Sequence, residues 1–237
     1  MTDISAEARR RAYLKALEID VYTMRGTDED PGIAEASTSD ASPIADLDGD
    51  APPDWDALRQ RVAACTRCTL HQTRTQTVFG VGSPSADWMI IGEAPGAEED
   101  RRGEPFIGRA GQLLDEMLRA LRLSRESVFI ANILKCRPPN NRDPSSDEAA
   151  SCRSYLNRQI ELISPKIILA VGRIAAQHLL ETDAPLGQLR GQKHQLGDGQ
   201  VPVIVTYHPA YLLRSPTQKR KSWQDLCLAQ QVMKEVS

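Results

Sequence analysis

Aromatic residues make up only 5% of this 237-residue chain, and no run of eighteen apolar residues occurs in it. Without such a run we expect no membrane-spanning helix. The first residues, MTDIS, lack the charged and then apolar pattern of a secretory signal. Aliphatic residues remain plentiful enough to build a sizeable core. We therefore expect a soluble protein of the cytosol or nucleoid.

Charge is unevenly distributed along the chain. Residues 1–54 carry a net charge of −8, whereas residues 55–237 carry +5. Residues 6–22 read as an amphipathic helix, which places an N-terminal helical segment over residues 1–25. Residues 26–54 contain nine acids, no bases and many small residues, so we expect a disordered acidic linker. The mildly basic remainder, residues 55–237, is the predicted globular domain, and its charge permits nucleic-acid binding.

Short apolar runs alternate with helical patterns in this domain. The predicted strands cover residues 87–91, 127–131, 166–171 and 201–206, and the helices cover 110–123, 146–163, 173–180 and 222–235. Strands that are apolar on both faces and alternate with helices are typical of a parallel sheet covered on both sides. We predict an α/β fold, a three-layer α/β/α sandwich around a central, mainly parallel four-stranded sheet.

Three polar segments follow predicted strands, at residues 92–96, 132–139 and 207–214. Ligands of such sheets bind at the carboxyl ends of the strands. These segments are therefore expected to converge on one site.

The five cysteines suggest soft-metal binding rather than disulfides, because a reducing compartment disfavours disulfides. Cys65 and Cys68 form a two-residue-gap pair, and Cys136 and Cys152 complete a possible quartet. The spacing leaves three possibilities open: a [4Fe–4S] cluster, a zinc ion, or unrelated buried cysteines. Cys227 has no close partner and is expected in the core.

Four motifs carry a family resemblance: GEAPGAEED at 92–100, GEPFIGRAG at 103–111, NILKCRPP at 132–139 and HPAYLLR at 208–214. Together they resemble the family-4, iron–sulfur uracil-DNA glycosylases over roughly residues 55–237. The resemblance implies removal of uracil from DNA by hydrolysis of its N-glycosidic bond, as in base excision repair. It also implies a structural [4Fe–4S] cluster on Cys65, Cys68, Cys136 and Cys152.

The resemblance also implies roles in the uracil site. Asn132 and His208 are implied catalytic residues: Asn132 would read the uracil edge, and His208 would donate to uracil O2. The best-known uracil glycosylases have a catalytic aspartate in the first loop, but the aligned residue here is Ala94. The adjacent Glu93 is therefore our third candidate catalytic residue, as the group that orients water. Phe106 would stack on the flipped base. Gly92, Ala94 and Gly96 would form a tight loop whose backbone approaches the base. The Glu99 carboxylate would exclude the methyl group of thymine.

DNA contacts are implied downstream of His208. Leu212 would fill the gap left by the flipped base, and Arg214, Lys219 and Arg220 would meet phosphates. The expected partner is uracil-containing DNA, and the protein is expected to be a nucleoid-associated monomer. The N-terminal helix is a candidate contact for another repair or replication protein.

Other classes of protein stay open from the sequence. One is a non-catalytic or covalently trapping uracil-DNA-binding protein of the same superfamily, although residues 136–144 lack the histidine that trapping would need. Another is an electron-transfer protein with a redox-active cluster. A third is a non-catalytic, polymerase-associated module.

Overall fold

A computed structural model describes residues 54–197 and 201–236. The predicted helix over residues 6–22 lies outside the described residues, as does the predicted linker except for Asp54. The Asp54 carboxylate accepts a hydrogen bond from Ala57 N and caps the first described helix.

The described strands form one six-stranded sheet. They are β1 (Val81–Gly82), β2 (Trp88–Gly92), β3 (Phe129–Asn132), β4 (Ile167–Val171), β5 (Lys193–Gln195) and β6 (Pro202–Thr206). The strand order is β1-β3-β2-β4-β6-β5. The central strands β3, β2, β4 and β6 run parallel, and all four are buried along their length.

The α/β class is confirmed, but the predicted count of four strands is wrong. The four predicted strands are the central parallel ones, and two short antiparallel strands, β1 and β5, extend the sheet at its edges. Both edge strands are partly or fully exposed and only two or three residues long. They were missed because neither contains the apolar run that marks a buried strand.

The described α-helices include four that the periodicity did not predict. The bounds of all of them are α1 (Trp55–Ala63), α2 (Ala97–Arg102), α3 (Arg109–Ala120), α4 (Ser146–Ile163), α5 (Arg173–Leu180), α6 (Leu186–Leu189), α7 (Pro209–Arg214) and α8 (Lys219–Val236). Short 3-10 helices occur at Thr69–Gln72, Pro139–Asn141 and Pro216–Gln218. Helices α3, α4, α5 and α8 lie where helices were predicted.

Helices cover both faces of the sheet. One apolar cluster joins α1, α4 and α5 to one face of the strands, and a second joins α3 and α8 to the other face. Alternate residues of β2 divide between the two clusters, Met89 and Ile91 in the first and Trp88 and Ile90 in the second. This alternation is the two-residue period of a strand buried on both sides.

Among residues 54–197 and 201–236, no helix is long and apolar enough to cross a membrane. Cys227, expected in the core, is exposed on α8. The period of that helix turns Leu226 inward and its neighbour outward.

Candidate active site at the carboxyl ends of the central strands

The last residues of β2 and β3 lie side by side. Gly92 is paired with Asn132 in the parallel register. The segments that follow the two strands remain hydrogen-bonded to each other. Ile133 N donates to the Gly92 carbonyl oxygen over 2.9 Å, and Leu134 N donates to the Glu93 carbonyl oxygen over 3.0 Å. The first two segments predicted to converge therefore do so at the point where β2 is flanked by β3 on one side and β4 on the other. This is the position at which open parallel sheets bind ligands.

Gly92 allows two functional side chains to meet. A Cβ atom at this position would lie 2.5 Å from Asn132 Oδ1 and 2.5 Å from Phe106 Cζ. Only a residue without a side chain leaves room for both groups. The absence of a side chain at Gly92, which is not itself among the residues that line the cavity, thus allows the amide and the aromatic ring to lie close together.

Phe106 is buried and has a φ of 53°, in the left-handed region that aromatic residues rarely occupy. Its ring faces the His208 ring with the two centroids 5.5 Å apart and the planes inclined by 29°. Strained backbone of this kind is concentrated at functional sites.

Asn132 is 2% exposed, and its Oδ1 atom is buried without a hydrogen-bond partner among the described residues. A buried polar atom left unpaired costs about 1–3 kcal/mol, so such atoms are few in folded proteins. Since Asn132 also lines the cavity, its unpaired oxygen marks a position where a ligand N–H group would be bound.

A hydrogen bond from the first turn of α7 determines the tautomer of the His208 ring. Ala210 N donates to His208 Nδ1 over 3.1 Å, so the neutral ring carries its proton on Nε2. Burial lowers the pKa of His208 to about 4, and the positive charge of Arg214 acts in the same direction. The imidazole is therefore neutral at pH 7 and can act as a hydrogen-bond donor.

Glu93 follows Gly92 and lies on the wall of the same cavity. Burial raises the pKa of its carboxyl group, the negative charge of Asp143 raises it further, and Arg173 partly opposes both. A carboxylate of raised pKa is a better proton acceptor near neutral pH.

The loop after β2 is held against the start of α3. Glu99 Oε1 accepts hydrogen bonds from Ile107 N and Gly108 N over 3.2 and 3.4 Å. A Cβ atom at Gly96 would lie 2.7 Å from Glu99 Oε2, so this glycine too allows a close approach. Ala94, Gly96 and Glu99 all line the cavity.

The cavity has a volume of about 490 Å³, within the roughly 300–1,000 Å³ of small-molecule sites. It brings together Glu93, Ala94, Gly96, Glu99, Phe106, Asn132 and His208, which were all predicted site residues. The cavity wall also contains Ala210 and Tyr211 from the segment 207–214 expected at the site, and Ala110, Asn141 and Asp143, which sequence reasoning missed. Of these, Asn141 and Asp143 had a usable signal, since they lie in the loop that follows β3.

The predicted DNA contacts are only partly placed at the surface. Arg214 lines the cavity mouth, and Lys219 and Arg220 are exposed at the start of α8. Leu212, which was predicted to fill the gap left by the flipped base, is 1% exposed and packs in the cluster of α3 and α8. The neighbouring Leu213 and Tyr211 are exposed instead, since α7 turns its apolar face toward the core.

The four cysteines expected to bind a cofactor surround a second, small cavity. Cys65 and Cys68 follow α1, Cys136 follows β3, and Cys152 lies on α4. None of the four is in a disulfide. Within the described residues, no three or more His, Cys, Asp or Glu side chains are arranged to hold a single metal ion. The four thiols that the sequence grouped as a possible quartet therefore line one cavity.

Cationic side chains line this second cavity. Arg74 Nη1 donates to Cys136 Sγ over 3.0 Å, and Arg67 and Lys135 also contribute to the wall. Burial raises the pKa of the Cys136 thiol and raises that of Cys152 to about 11. Positive charge beside buried thiols is what four thiolate ligands would require.

Comparison with known proteins identifies the family of this chain. The family model of the uracil DNA glycosylase superfamily matches residues 79–229. A type-4 uracil-DNA glycosylase of Archaeoglobus fulgidus is 44% identical over 167 residues, which is 68% of this chain and 84% of the relative. The chain belongs to the type-4 family of the uracil-DNA glycosylase superfamily.

Further relatives include enzymes of type 4 and of type 5. A type-4 uracil-DNA glycosylase of Thermotoga maritima is 44% identical over 159 residues, 67% of this chain and 82% of the relative. A type-5 uracil-DNA glycosylase of Pyrobaculum aerophilum is 28% identical over 193 residues, 68% of this chain and 85% of the relative. Both motif-bearing strand ends of the candidate site, at Gly92 and Asn132, fall within the range matched by the superfamily, whereas Cys65 and Cys68 precede it.

Proposed function

We propose that this uracil-DNA glycosylase hydrolyses the bond between N1 of uracil and C1′ of deoxyribose, which releases the base and leaves an abasic site in DNA. The observation that carries the site assignment is the buried, unpartnered Oδ1 of Asn132 beside the Phe106 ring. Because a stacked duplex would hide the base, the nucleotide must first be flipped into the cavity.

Asn132 discriminates uracil from cytosine. Its Oδ1 accepts from uracil N3–H, and its Nδ2 donates to uracil O4. Cytosine presents an acceptor at N3 and an amino group at C4, so both hydrogen bonds would be lost and buried polar atoms would stay unpaired. A site built on such hydrogen bonds discriminates strongly against a base that cannot form them.

His208 stabilises the departing base. As the C1′–N1 bond breaks, its electron pair moves onto uracil, and negative charge develops on O2. The neutral Nε2–H of His208 donates to that oxygen. A preorganised donor of this kind contributes about 3 kcal/mol to transition-state stabilisation in comparable sites.

Glu93 positions the attacking water. The deoxyribose carries positive charge as the bond breaks, and a nearby carboxylate stabilises that charge. The water oxygen bonds to C1′, and the water proton passes to the Glu93 carboxylate, whose raised pKa favours acceptance.

Phe106 and Glu99 define the shape of the base pocket. Stacking of the base on the Phe106 ring is worth about 1–3 kcal/mol. Glu99 lines the cavity and is fixed by two main-chain N–H groups, which supports a role in excluding the C5 methyl group of thymine. Because Gly92, Ala94 and Gly96 are small, the backbone of the loop after β2 can lie close to the base.

The DNA itself is bound beside the cavity mouth. Arg214, Lys219 and Arg220 are exposed cations that would contact phosphates. Leu213, which is 37% exposed, replaces Leu212 as the side chain that fills the vacated space in the duplex.

Cys65, Cys68, Cys136 and Cys152 would hold a [4Fe–4S] cluster. The donor set fits the group, since four free thiols and the basic side chains of Arg67, Arg74 and Lys135 line one cavity, and no carboxylate of the described residues lines it. When bound, the cluster supplies a structural link among the segment after α1, the loop after β3, and α4. Iron and acid-labile sulfide in equal amounts, with a visible sulfur-to-iron charge-transfer band, would test the assignment, and stoichiometric zinc without colour would contradict it.

The covalently trapping alternative is not favoured. A trap needs a nucleophilic histidine near C1′, and the loop from Cys136 to Pro144 contains none. We further propose that the protein is a nucleoid-associated monomer. Its N-terminal segment contacts another repair or replication protein.

The function is tested with an oligonucleotide that contains a single deoxyuridine. Incubation with the protein and then with alkali should cleave the strand at the uracil. Asn132→Ala and His208→Ala should each lower single-turnover cleavage by roughly a hundredfold or more. Asn157→Ala, an exposed asparagine on α4, is the matched control. Absence of cleavage by the wild-type protein would reject the function, and full activity of both site variants would reject the site.

A further inference from the structure

Phe106 is held by a side chain from a different part of the chain. The Arg125 guanidinium donates from Nη1 to the Phe106 carbonyl oxygen over 3.1 Å and from Nη2 to the Pro105 carbonyl oxygen over 2.7 Å. Arg125 lies between α3 and β3, nineteen residues beyond Phe106. One planar group thus bridges two consecutive carbonyl groups of the segment that carries the stacking ring.

Two further features fix this arrangement. Asp115 on α3 accepts from Arg125 Nη1 over 3.0 Å and pairs with its charge. The Arg125 side chain is only 21% exposed. On the opposite side, a Cβ atom at Gly111 would lie 1.6 Å from the Phe106 carbonyl oxygen, so the carbonyl is packed directly against α3.

The bridge accounts for the unusual backbone of Phe106. A φ of 53° is unfavourable for a residue with a bulky side chain and persists only where surrounding contacts impose it. Charge-assisted hydrogen bonds to carbonyl oxygens on both sides of the residue are such contacts. Without them, the backbone would relax toward a negative φ, and the ring would turn away from Gly92 and Asn132.

We infer that Arg125, oriented by Asp115, is a positioning residue for uracil excision, which holds the Phe106 ring in the plane that the flipped base stacks on. This inference rests on the proposed function. Arg125 acts through Phe106, and nothing in its placement requires it to touch the base. The arginine fork is needed because a lysine ammonium cannot make the same two parallel hydrogen bonds.

A double-mutant cycle tests the inference. The kcat/KM for a deoxyuridine oligonucleotide is measured for the wild type, Arg125→Met, Phe106→Ala and the double variant. Loss of the stacking contact in Phe106→Ala should lower kcat/KM roughly 5- to 150-fold. Displacement of the ring in Arg125→Met should lower it about tenfold. The double variant should be no less active than Phe106→Ala, because the arginine has no ring left to position.

Two companion variants separate positioning from general stability. Arg119→Met removes an exposed arginine that is paired with Glu116 on the same helix as Asp115, and it should leave kcat/KM unchanged. Arg125→Lys keeps the charge and should restore thermal stability more fully than activity. If Arg125→Met does not fold, Asp115→Asn replaces it in the cycle. Asp115→Asn should lower kcat/KM severalfold when Phe106 is present. In combination with Phe106→Ala it should cause no further loss of kcat/KM.

Base flipping supplies a second readout. Fluorescence of 2-aminopurine placed opposite or beside the deoxyuridine should report weaker stabilisation of the flipped base in Arg125→Met, and not in Arg119→Met. If the wild type is active and the two losses in kcat/KM multiply in the double variant, this inference is overturned and the proposed function is not. A wild-type protein that releases no uracil would overturn the proposed function together with it.

Discussion

The buried Nζ of Lys135 donates to the main-chain oxygen of Asn132 over 2.9 Å, and burial lowers the pKa of this amine to about 7. The same nitrogen donates to Gln159 Oε1 over 2.6 Å, and Gln159 Nε2 donates to the Phe79 carbonyl oxygen over 2.9 Å. Lys135 also lines the cavity of the four cysteines. One side chain therefore connects the cysteine site to the strand end that carries Asn132.

Replacing Lys135 with methionine should weaken both the fold and the uracil site. The substitution leaves the Asn132 carbonyl oxygen and Gln159 Oε1 buried without a donor, which costs about 1–3 kcal/mol for each group. Urea unfolding should report the loss, and kcat/KM should fall because Asn132 loses a support. Lys166→Met removes an exposed lysine that is paired with Asp87 and is the control. Unchanged stability of Lys135→Met would contradict the importance of this connection.

Gly92→Ala should abolish most activity without unfolding the protein. The added methyl group would lie 2.5 Å from Asn132 Oδ1 and from Phe106 Cζ, so both side chains must move. Because misplacement by about 1 Å can cost on the order of a hundredfold in rate, we expect at least that loss in kcat/KM. Gly187→Ala is the matched control, since nothing lies within 4 Å of its added Cβ. Equal activity of the two variants would show that Gly92 does not limit the site.

Stability should fall with acidification because of His208. The folded-state pKa is lowered from 6.5 to about 4, so between these pH values the unfolded chain binds a proton that the folded protein does not. The free energy of unfolding therefore decreases as the pH falls from 6.5 to about 4, by up to roughly 3 kcal/mol for this group. Above pH 6.5 and below about pH 4 the group contributes no further pH dependence.

His208→Asn provides the comparison for that measurement. Asparagine can still accept a hydrogen bond from Ala210 N at the start of α7, but it does not titrate. Chemical denaturation of both proteins at several pH values should give a difference that grows on acidification within this window. Parallel curves would mean that His208 has an ordinary pKa in the folded protein.

Substitutions of the two adjacent leucines of α7 should have different effects, one on stability and the other on the contact with DNA. Leu212→Ala removes a side chain buried against α3 and α8, and it should lower the free energy of unfolding by about 2–5 kcal/mol. Leu213→Ala changes an exposed position and should stay within about 0.5 kcal/mol of the wild type. Its excision of uracil should fall more on double-stranded than on single-stranded DNA, because only the duplex has a gap to fill. The reverse pattern would restore Leu212 as the inserted side chain.

Local patterns of residues were enough to define a large part of this protein. Apolar runs located the four central strands, because a strand buried on both faces consists largely of apolar residues. The end of each strand then located Gly92, Asn132 and His208, since parallel strands place their carboxyl ends at one edge. The motifs around these positions were sufficient to identify the family. The edge strands β1 and β5 left no comparable signal, because they are short and partly exposed.

The way in which these residues are held depends on contacts between distant parts of the chain. The burial of Leu212 rather than Leu213 depends on the direction in which α7 meets α3, which periodicity over six residues does not fix. The bridge from Arg125 to Phe106 and the connection from Lys135 to Gln159 join positions 19 and 24 residues apart. Likewise the neutral state of His208 depends on burial and on Arg214. Such contacts arise from packing between separate elements, and packing, unlike strand or helix formation, is not encoded in any local pattern of residues.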